Sequence, residues 1–211
     1  MSDISTSRIN YSQNLLDKVL DCPFEQFENW LEDAYDTDEI LEPNAMTLCT
    51  VNSKSKPSAR IVLLRGFSEN SFEFYTNYES KKGKDLDENK NAALCFYWDK
   101  LERQVRIEGE VEKLSPEKSD RYFDLRPRGS KVSATISKQS ETVLSREELE
   151  NNFKNLEQSN KKLTRPEHWG GYLLIPNKIE FWQGRPSRLH DRFLYEFCEE
   201  NETWDNKRLY P

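Results

Sequence analysis

The residues of this chain that could do chemistry fall into dense clusters. The first is Arg60-Ile-Val-Leu-Leu-Arg65, where two arginines bracket an apolar run. Strand ends open into loops, where a guanidinium can hold a phosphate through paired hydrogen bonds. The competing reading is two arginines that snorkel at the ends of a barrel strand. The second cluster is Tyr75-Thr76-Asn77, followed by Ser80-Lys81-Lys82-Gly83. Lysines at a helix start oppose the helix dipole, so they make sense if an anion binds there. Next come Arg103-Gln104-Val105-Arg106, the run from Tyr122 through Arg126 and Arg128 to Ser130, and Lys138-Gln139-Ser140. The last cluster starts at Glu180 and brings Trp182, Arg188, His190 and Arg192 close together in sequence. Taken singly, Trp182 is more readily a core residue and His190 a structural histidine. Their joint occurrence is harder to dismiss.

The charge distribution bears on this. The 211 residues carry a formal net charge of −7, which argues against nucleic acid or an anionic membrane as a general partner. Yet residues 52–66 and 126–140 are each basic without a single acid. Either these stretches build a local anion site or they are ordinary surface lysines and arginines. Several schemes lack their residues. There is no glycine-rich dinucleotide loop, P-loop, HExxH or GxSxG. Two histidines exclude a multi-histidine metal site, and no metal is expected. The four cysteines are far apart, with no CxxC, and are expected as reduced, buried thiols. No segment approaches the roughly 18 apolar residues of a membrane span, so a soluble, cytoplasmic protein is expected.

The elements that must position these clusters can be read in outline. Residues 1–20 are polar and expected to be flexible; 21–211 are expected to form one domain. Phe24, Phe27, Leu31 and Ala34 recur at helical spacing, which predicts a helix over 24–35. Strands are predicted at Ala45–Val51, Ile61–Leu64, Ser71–Asn77, Ala92–Trp98 and Arg103–Glu112. The all-apolar Ile61–Leu64 run is expected to be buried on both sides and to form a hairpin with Ser71–Asn77 through a turn at 66–70. Ser80–Asn89 reads as a short helix. Ser115-Pro116 opens another helix, which Pro127 ends by Arg126. A short helix is predicted over Val132–Ile136, and one capped by Ser145 runs to about Asn160. Strands at Tyr172–Ile175, Ile179–Trp182, Phe193–Phe197 and near Arg208 complete the chain. Seven or eight strands with inserted helices make an α+β protein built on a β-barrel.

In combination, RIVLLR (60–65), FYTNYESKKG (74–83), LERQVRIEGEVEKL (101–114), YFDLRPRGSKV (122–132), SKQS (137–140), HWGGY (168–172) and EFWQGRPSRLHDRFLYE (180–196) resemble the pyridoxamine 5′-phosphate oxidase family. The closing Arg208-Leu209-Tyr210-Pro211 is similar too. The resemblance implies an FMN-binding split β-barrel with surrounding helices, a homodimer with FMN at its interface, and oxidation of pyridoxamine 5′-phosphate or pyridoxine 5′-phosphate to pyridoxal 5′-phosphate by O2. It implies that Arg60, Ile61, Val62, Leu63 and Leu64 line the flavin. It further implies that Tyr75, Thr76, Lys81, Lys82, Gln104, Gln139, Ser140, Trp182 and Arg192 complete that pocket, some from the other chain.

The same resemblance puts the substrate phosphate against Arg65, Tyr122, Arg126 and Ser130. Arg188 and His190 are the implied catalytic pair, and Arg8 and Tyr11 belong to a segment that closes over the substrate. Arg65 and Lys81 each exchange the family's usual lysine or arginine for the other, which keeps charge but changes hydrogen-bond geometry. Asp124 replaces a frequent histidine. Two alternatives stay open: a non-catalytic pyridoxal-phosphate carrier and a flavin reductase of the same fold.

Overall fold

The computed structural model describes residues 11, 14–159 and 161–211. In chain order the elements are α1 (Pro23–Tyr35), β1 (Ala45–Val51), β2 (Pro57–Leu63), β3 (Gly66–Ser68), β4 (Ser71–Asn77), α2 (Lys81–Glu88), β5 (Asn91–Trp98) and β6 (Arg103–Lys113). Then follow α3 (Pro116–Leu125), α4 (Arg128–Ile136), α5 (Arg146–Glu157), β7 (Trp169–Gln183), a 3-10 turn (Pro186–Arg188), β8 (Asp191–Cys198) and β9 (Thr203–Arg208). The strands run in the order β2-β1-β5-β6-β7-β4-β3, with β8 on β7 and β9 on β8. The pairs β3/β4, β4/β7, β7/β8 and β8/β9 are antiparallel. No described helix is long and apolar enough to cross a membrane.

The chain divides into two compact units. One comprises the described part of 1–47 with 93–109 and 176–211. Its core is aromatic. Phe27 meets Phe96 edge-on at 5.1 Å, and Trp30 meets Phe181 at 5.2 Å. The helical spacing of Phe24, Phe27, Leu31 and Ala34 puts all four on the buried face of α1. In β7 and β8, Trp182 lies opposite Arg192 and Gln183 opposite Asp191.

The other unit comprises 48–92 and 110–175. Phe74 of β4 stacks on Tyr172 of β7 at 5.6 Å. Helices α3 and α5 begin as expected, with the Ser115 and Ser145 side chains accepting from the Lys118 and Glu148 amides. Phe123, Ala134 and Trp169 form a small buried cluster beneath Tyr75, Tyr122 and Leu163.

Several expectations need correction. Strand β2 is not buried on both sides: its burial alternates with exposure, and Ile61 is 65% exposed. It is an edge strand, and an edge strand beside a cavity has no second layer over it. The hairpin partner of β4 is β3, with its turn at Glu69–Asn70, so part of the expected 66–70 turn is strand. Strands expected at 172–175 and 179–182 are one strand, β7. Pro176 lies between the register with β4, which reaches Leu174, and that with β8, which begins at Lys178, so its missing N–H costs neither ladder a bond. Helix α4 starts at Arg128 rather than Val132. All four cysteines are free but only half-buried.

Candidate active site

A cavity of about 940 Å³ opens in the 48–92/110–175 unit. Strand β2 and its end bring Arg60, Ile61, Val62, Leu63 and Arg65 to it. Tyr75, Thr76 and Asn77 come from β4, Lys81 and Lys82 from α2, and Tyr122 from α3. Arg126, Ser130, Gln139 and Ser140 arrive from α4 and the segments around it. Arg60, Arg65, Lys81, Lys82 and Arg126 are cationic, and among the described lining residues there is no Asp or Glu. A concave, one-signed lining of this kind focuses anions, here on a chain of net charge −7.

The first group of cations surrounds the start of α2. Ser80 caps that helix, accepting from the Gly83 amide and donating to the Asn77 carbonyl at 2.7 Å. A Cβ on Gly83 would stand 2.0 Å from the Tyr78 carbonyl oxygen, so glycine is required for this close approach. Lys82 is 8% exposed and its Nζ donates to Gln139 Oε1 at 2.8 Å. Burial, with the nearby Arg60 charge, pushes the Lys82 ammonium down to about 8. The Lys81 amide donates to Ser140 Oγ at 3.2 Å. Arg60 is held by Thr50 Oγ1 at 2.8 Å, Ser58 Oγ at 2.8 Å and the Leu48 carbonyl at 3.1 Å.

The second group is Arg65 and Arg126, next to an aromatic stack. Tyr75 stacks on Tyr122 at 3.9 Å and on Trp169 at 5.7 Å. A Cβ on Gly171 would lie 2.8 Å from Tyr75 Cε1, so the glycine lets that ring lie against β7. Burial, with the Glu73 and Tyr122 charges, pushes the Tyr75 hydroxyl up to about 12, so it stays protonated. Arg126 lies over Trp169 at 4.5 Å. Its Nη1 is buried, and among the described residues it has no hydrogen-bond partner. Burial, with the Arg65 charge, lowers the Arg126 guanidinium. A buried, unpartnered donor on a cation is what an anion site needs before its ligand arrives.

The other unit holds a second constellation. Trp182 and His190 lie 4.6 Å apart, and Tyr11 meets both edge-on, at 5.7 and 5.5 Å. The Arg185 amide donates to His190 Nδ1 at 3.1 Å, so a neutral His190 carries its proton on Nε2. Burial, then the Arg188 charge, lowers its pKa, against the pull of Asp191. Ser187 and Arg188 are both left-handed, at φ 58° and 63°. That conformation costs a non-glycine residue about 1–2 kcal/mol, and such strain concentrates at functional loops. Arg192 is clamped on Glu180 through two bonds, at 2.8 and 3.0 Å.

The family model described as pyridoxamine 5′-phosphate oxidase matches residues 32–160. A second, described as the pyridoxine 5′-phosphate oxidase C-terminal dimerisation region, matches residues 169–211. The chain belongs to the pyridoxamine 5′-phosphate oxidase family. The pyridoxine/pyridoxamine 5′-phosphate oxidase of Burkholderia lata is 51% identical, over 100% of both chains. PhzG, also from Burkholderia lata and crystallised with tetrahydrophenazine-1-carboxylic acid, is 29% identical, covering 92% of this chain and 95% of its own at a TM-score of 0.87. A pyridoxamine 5′-phosphate oxidase-related, FMN-binding protein from Nostoc punctiforme shares the fold at a TM-score of 0.73 and 16% identity, covering 88% of this chain and 97% of its own. The fold is thus the family's α+β split barrel. The C-terminal dimerisation region supports a homodimer.

Within this family framework, most of the sequence-predicted residues meet in the one cavity: Arg60, Ile61, Val62, Leu63, Arg65, Tyr75, Thr76, Lys81, Lys82, Tyr122, Arg126, Ser130, Gln139 and Ser140. Leu64 is 5% exposed and does not line it. Gln104, Trp182, Arg188, His190, Arg192 and Tyr11 belong to the other unit. Arg8 lies outside the described residues. Sequence reasoning placed Asn77 in a candidate cluster without giving it a role, and it missed Trp169 on the cavity wall and Thr50 and Asp85 behind it. Trp169 carried a signal, since it precedes the Gly170-Gly171 pair that lets aromatic rings pack against β7. Asp85 carried one too, four residues after Lys81 on a helix.

Proposed function

We propose that this chain is an FMN-dependent oxidase that converts pyridoxamine 5′-phosphate and pyridoxine 5′-phosphate to pyridoxal 5′-phosphate. The amine, O2 and water give the aldehyde, ammonia and H2O2; the alcohol and O2 give the aldehyde and H2O2. The observation that carries this reading is the cavity's five cations in two groups, with no lining carboxylate among the described residues. Two phosphate-bearing ligands, each about −2 at neutral pH, suit two such groups.

The residues present fit FMN. Arg60, Lys81 and Lys82, with the α2 N-terminus, suit its phosphate, and the apolar run Ile61–Leu63 suits a flat ring. FMN, when bound, supplies the two-electron redox chemistry, and the protein supplies position and electrostatics. Arg65 and Arg126, with Tyr122 and Ser130, hold the substrate phosphate. Arg188 and His190 orient the reacting carbon and favour the neutral amine, with His190 offering Nε2–H as a donor. No general base is invoked. In the homodimer, Gln104, Trp182, Arg188, His190 and Arg192 of one chain complete the cavity of its partner. The setting that goes with this reading is the cytoplasm, with no nucleic-acid or membrane partner.

PhzG favours a second reading, oxidation of a reduced phenazine carboxylic acid. Burkholderia lata supplies the comparison: identity is 51% to its pyridoxine/pyridoxamine oxidase and 29% to its PhzG. The paired phosphate-type groups likewise suit the vitamin B6 substrates. The test is the spectrum of FMN-loaded protein mixed anaerobically with pyridoxamine 5′-phosphate, then with air. Bleaching, recovery with O2 and appearance of pyridoxal 5′-phosphate are expected. Bleaching by a reduced phenazine acid alone would support the second reading. Bleaching by NADH alone would point to a reductase, and a flavin that never bleaches to a carrier.

A further inference from the structure

Asp85 is a carboxylate buried behind the first group of cations, 5% exposed. It accepts from Lys81 Nζ at 2.8 and 3.1 Å and from Thr50 Oγ1 at 2.8 Å. Thr50 is fully buried and in turn accepts from Arg60 Nη1 at 2.8 Å. One carboxylate therefore reaches two cavity cations, Lys81 directly and Arg60 through a single hydroxyl. The Thr50 hydroxyl has its proton committed to Asp85 and a lone pair committed to Arg60, so neither bond can turn without breaking the other.

The stability of α2 does not account for this arrangement. Lys81 stands in the first turn and Asp85 four residues on, so both charges run against the helix dipole, and the pair has the less favourable order. Nor does simple electrostatics. A buried negative charge beside a site for a dianion repels the ligand. Burial alone would raise the Asp85 carboxyl, but the bonds from Lys81 and Thr50 and the charges of Lys81 and Arg60 outweigh it and hold the group below the usual carboxylate range. The carboxylate thus stays charged in a place where its charge opposes binding.

We propose that Asp85 is a positioning residue for the cofactor phosphate: through Thr50 and directly through Lys81 it fixes where Arg60 and Lys81 present their donors, and this outweighs its repulsion of the ligand. The inference rests on reading the cavity as an FMN site. Electrostatics without positioning predicts the opposite sign, since removing the charge would then tighten FMN.

The test is quenching of flavin fluorescence by the apoprotein, with FMN and riboflavin as paired probes, for the wild type, Asp85→Asn, Asp85→Glu and Thr50→Val. Riboflavin lacks the phosphate, so general damage to the cavity weakens both ligands alike. Asp85→Asn is expected to weaken FMN by about tenfold or more, the scale of a lost charge-assisted hydrogen bond, with riboflavin unchanged. Thr50→Val is expected to weaken FMN by a smaller factor, and Asp85→Glu to recover part of the loss. FMN binding that tightens or stays the same in Asp85→Asn overturns the proposal. So does an equal loss for FMN and riboflavin. If Asp85→Asn does not fold, Thr50→Val decides, because it cuts the link to Arg60 while leaving the Lys81 pair in place. A wild type that binds FMN no better than riboflavin would instead overturn the FMN-phosphate reading itself.

Discussion

The Arg126 guanidinium lies 4.5 Å above the Trp169 ring, with its Nη1 buried and unpartnered among the described residues. An indole face holds a guanidinium in place without occupying its N–H groups. Trp169 thereby aims a donor-rich cation into the cavity and leaves its hydrogen bonds for the ligand. Arg126→Ala should raise KM for pyridoxamine 5′-phosphate by about 10–100-fold, the worth of hydrogen bonds to a charged group, with a much smaller change in kcat. Trp169→Leu should raise KM by about 2–30-fold through the lost cation–π contact, and Trp169→Phe by less. Steady-state kinetics on the three variants checks this. An unchanged KM in Trp169→Leu would remove the tryptophan from the site.

As a proposed ligand of the FMN phosphate, Lys82 should set a pH dependence for cofactor binding. Its ammonium is pushed down to about 8 by burial and by Arg60. Below that pH it is charged and ready for a phosphate dianion. Above it, binding must first restore the proton, so affinity falls as pH rises. FMN Kd should climb by up to about tenfold per pH unit above 8, one proton being taken up, until the raised pKa of the complex is reached. Riboflavin should show no such slope. Titrations between pH 7 and 10 measure both, and parallel curves would count against Lys82 as a phosphate ligand.

Much of this was legible in the sequence, and the exceptions have physical causes. The capped and Pro-started helices α1, α3 and α5 fall where local signals put them, because caps act over a few residues. The all-apolar run Ile61–Leu64 misled, since composition cannot tell a strand buried on both sides from an edge strand whose apolar face lines a cavity. Pro176 hid the continuity of β7, because the pairing that tolerates it is made with distant strands. Asp85 and Thr50 escaped notice because their link joins residues 35 apart in sequence. Trp169 sat inside a recognised motif, but its bearing on Arg126 is a tertiary fact.

His190 offers a prediction with opposite consequences for two substitutions. Its Nδ1 accepts the Arg185 amide, so the donor role proposed for it would run through Nε2. Glutamine places an amide N–H near the position of Nε2 but abandons the Arg185 amide. Asparagine keeps an acceptor for that amide and loses the distal donor. His190→Gln should therefore be the more active and His190→Asn the more stable, by about 1 kcal/mol, the net worth of one such hydrogen bond. The lowered pKa also fixes the sign of the pH effect. The unfolded chain binds the extra proton first, so stability falls as pH drops from the ordinary 6.5 through the lowered native value. Protonation would also put a donor on Nδ1 facing the Arg185 N–H. The acid limb of kcat/KM should lie below pH 6.5, and a limb above that value would contradict this environment.

The assignment of the two residue groups to different chains of a homodimer can be tested by complementation. Lys82 lines the cavity of the 48–92/110–175 unit and His190 belongs to the other unit, so Lys82→Glu should disable the first group and His190→Ala the second. Each homodimer should be inactive or nearly so. In a mixed dimer, if each cavity is completed by the partner, one site receives both substitutions and the other receives neither. Every mixed dimer then has one intact site. Random reassortment of equal amounts should restore about a quarter of wild-type activity, since half the dimers of a two-fold symmetric protein are mixed and each has one good site of two. If each site is built within a single chain, every site in every dimer carries one lesion and mixing restores nothing. Coexpression with two different affinity tags, purification of the mixed species and a pyridoxal 5′-phosphate assay separate the two outcomes. The mixed species should then bind FMN at one site per dimer.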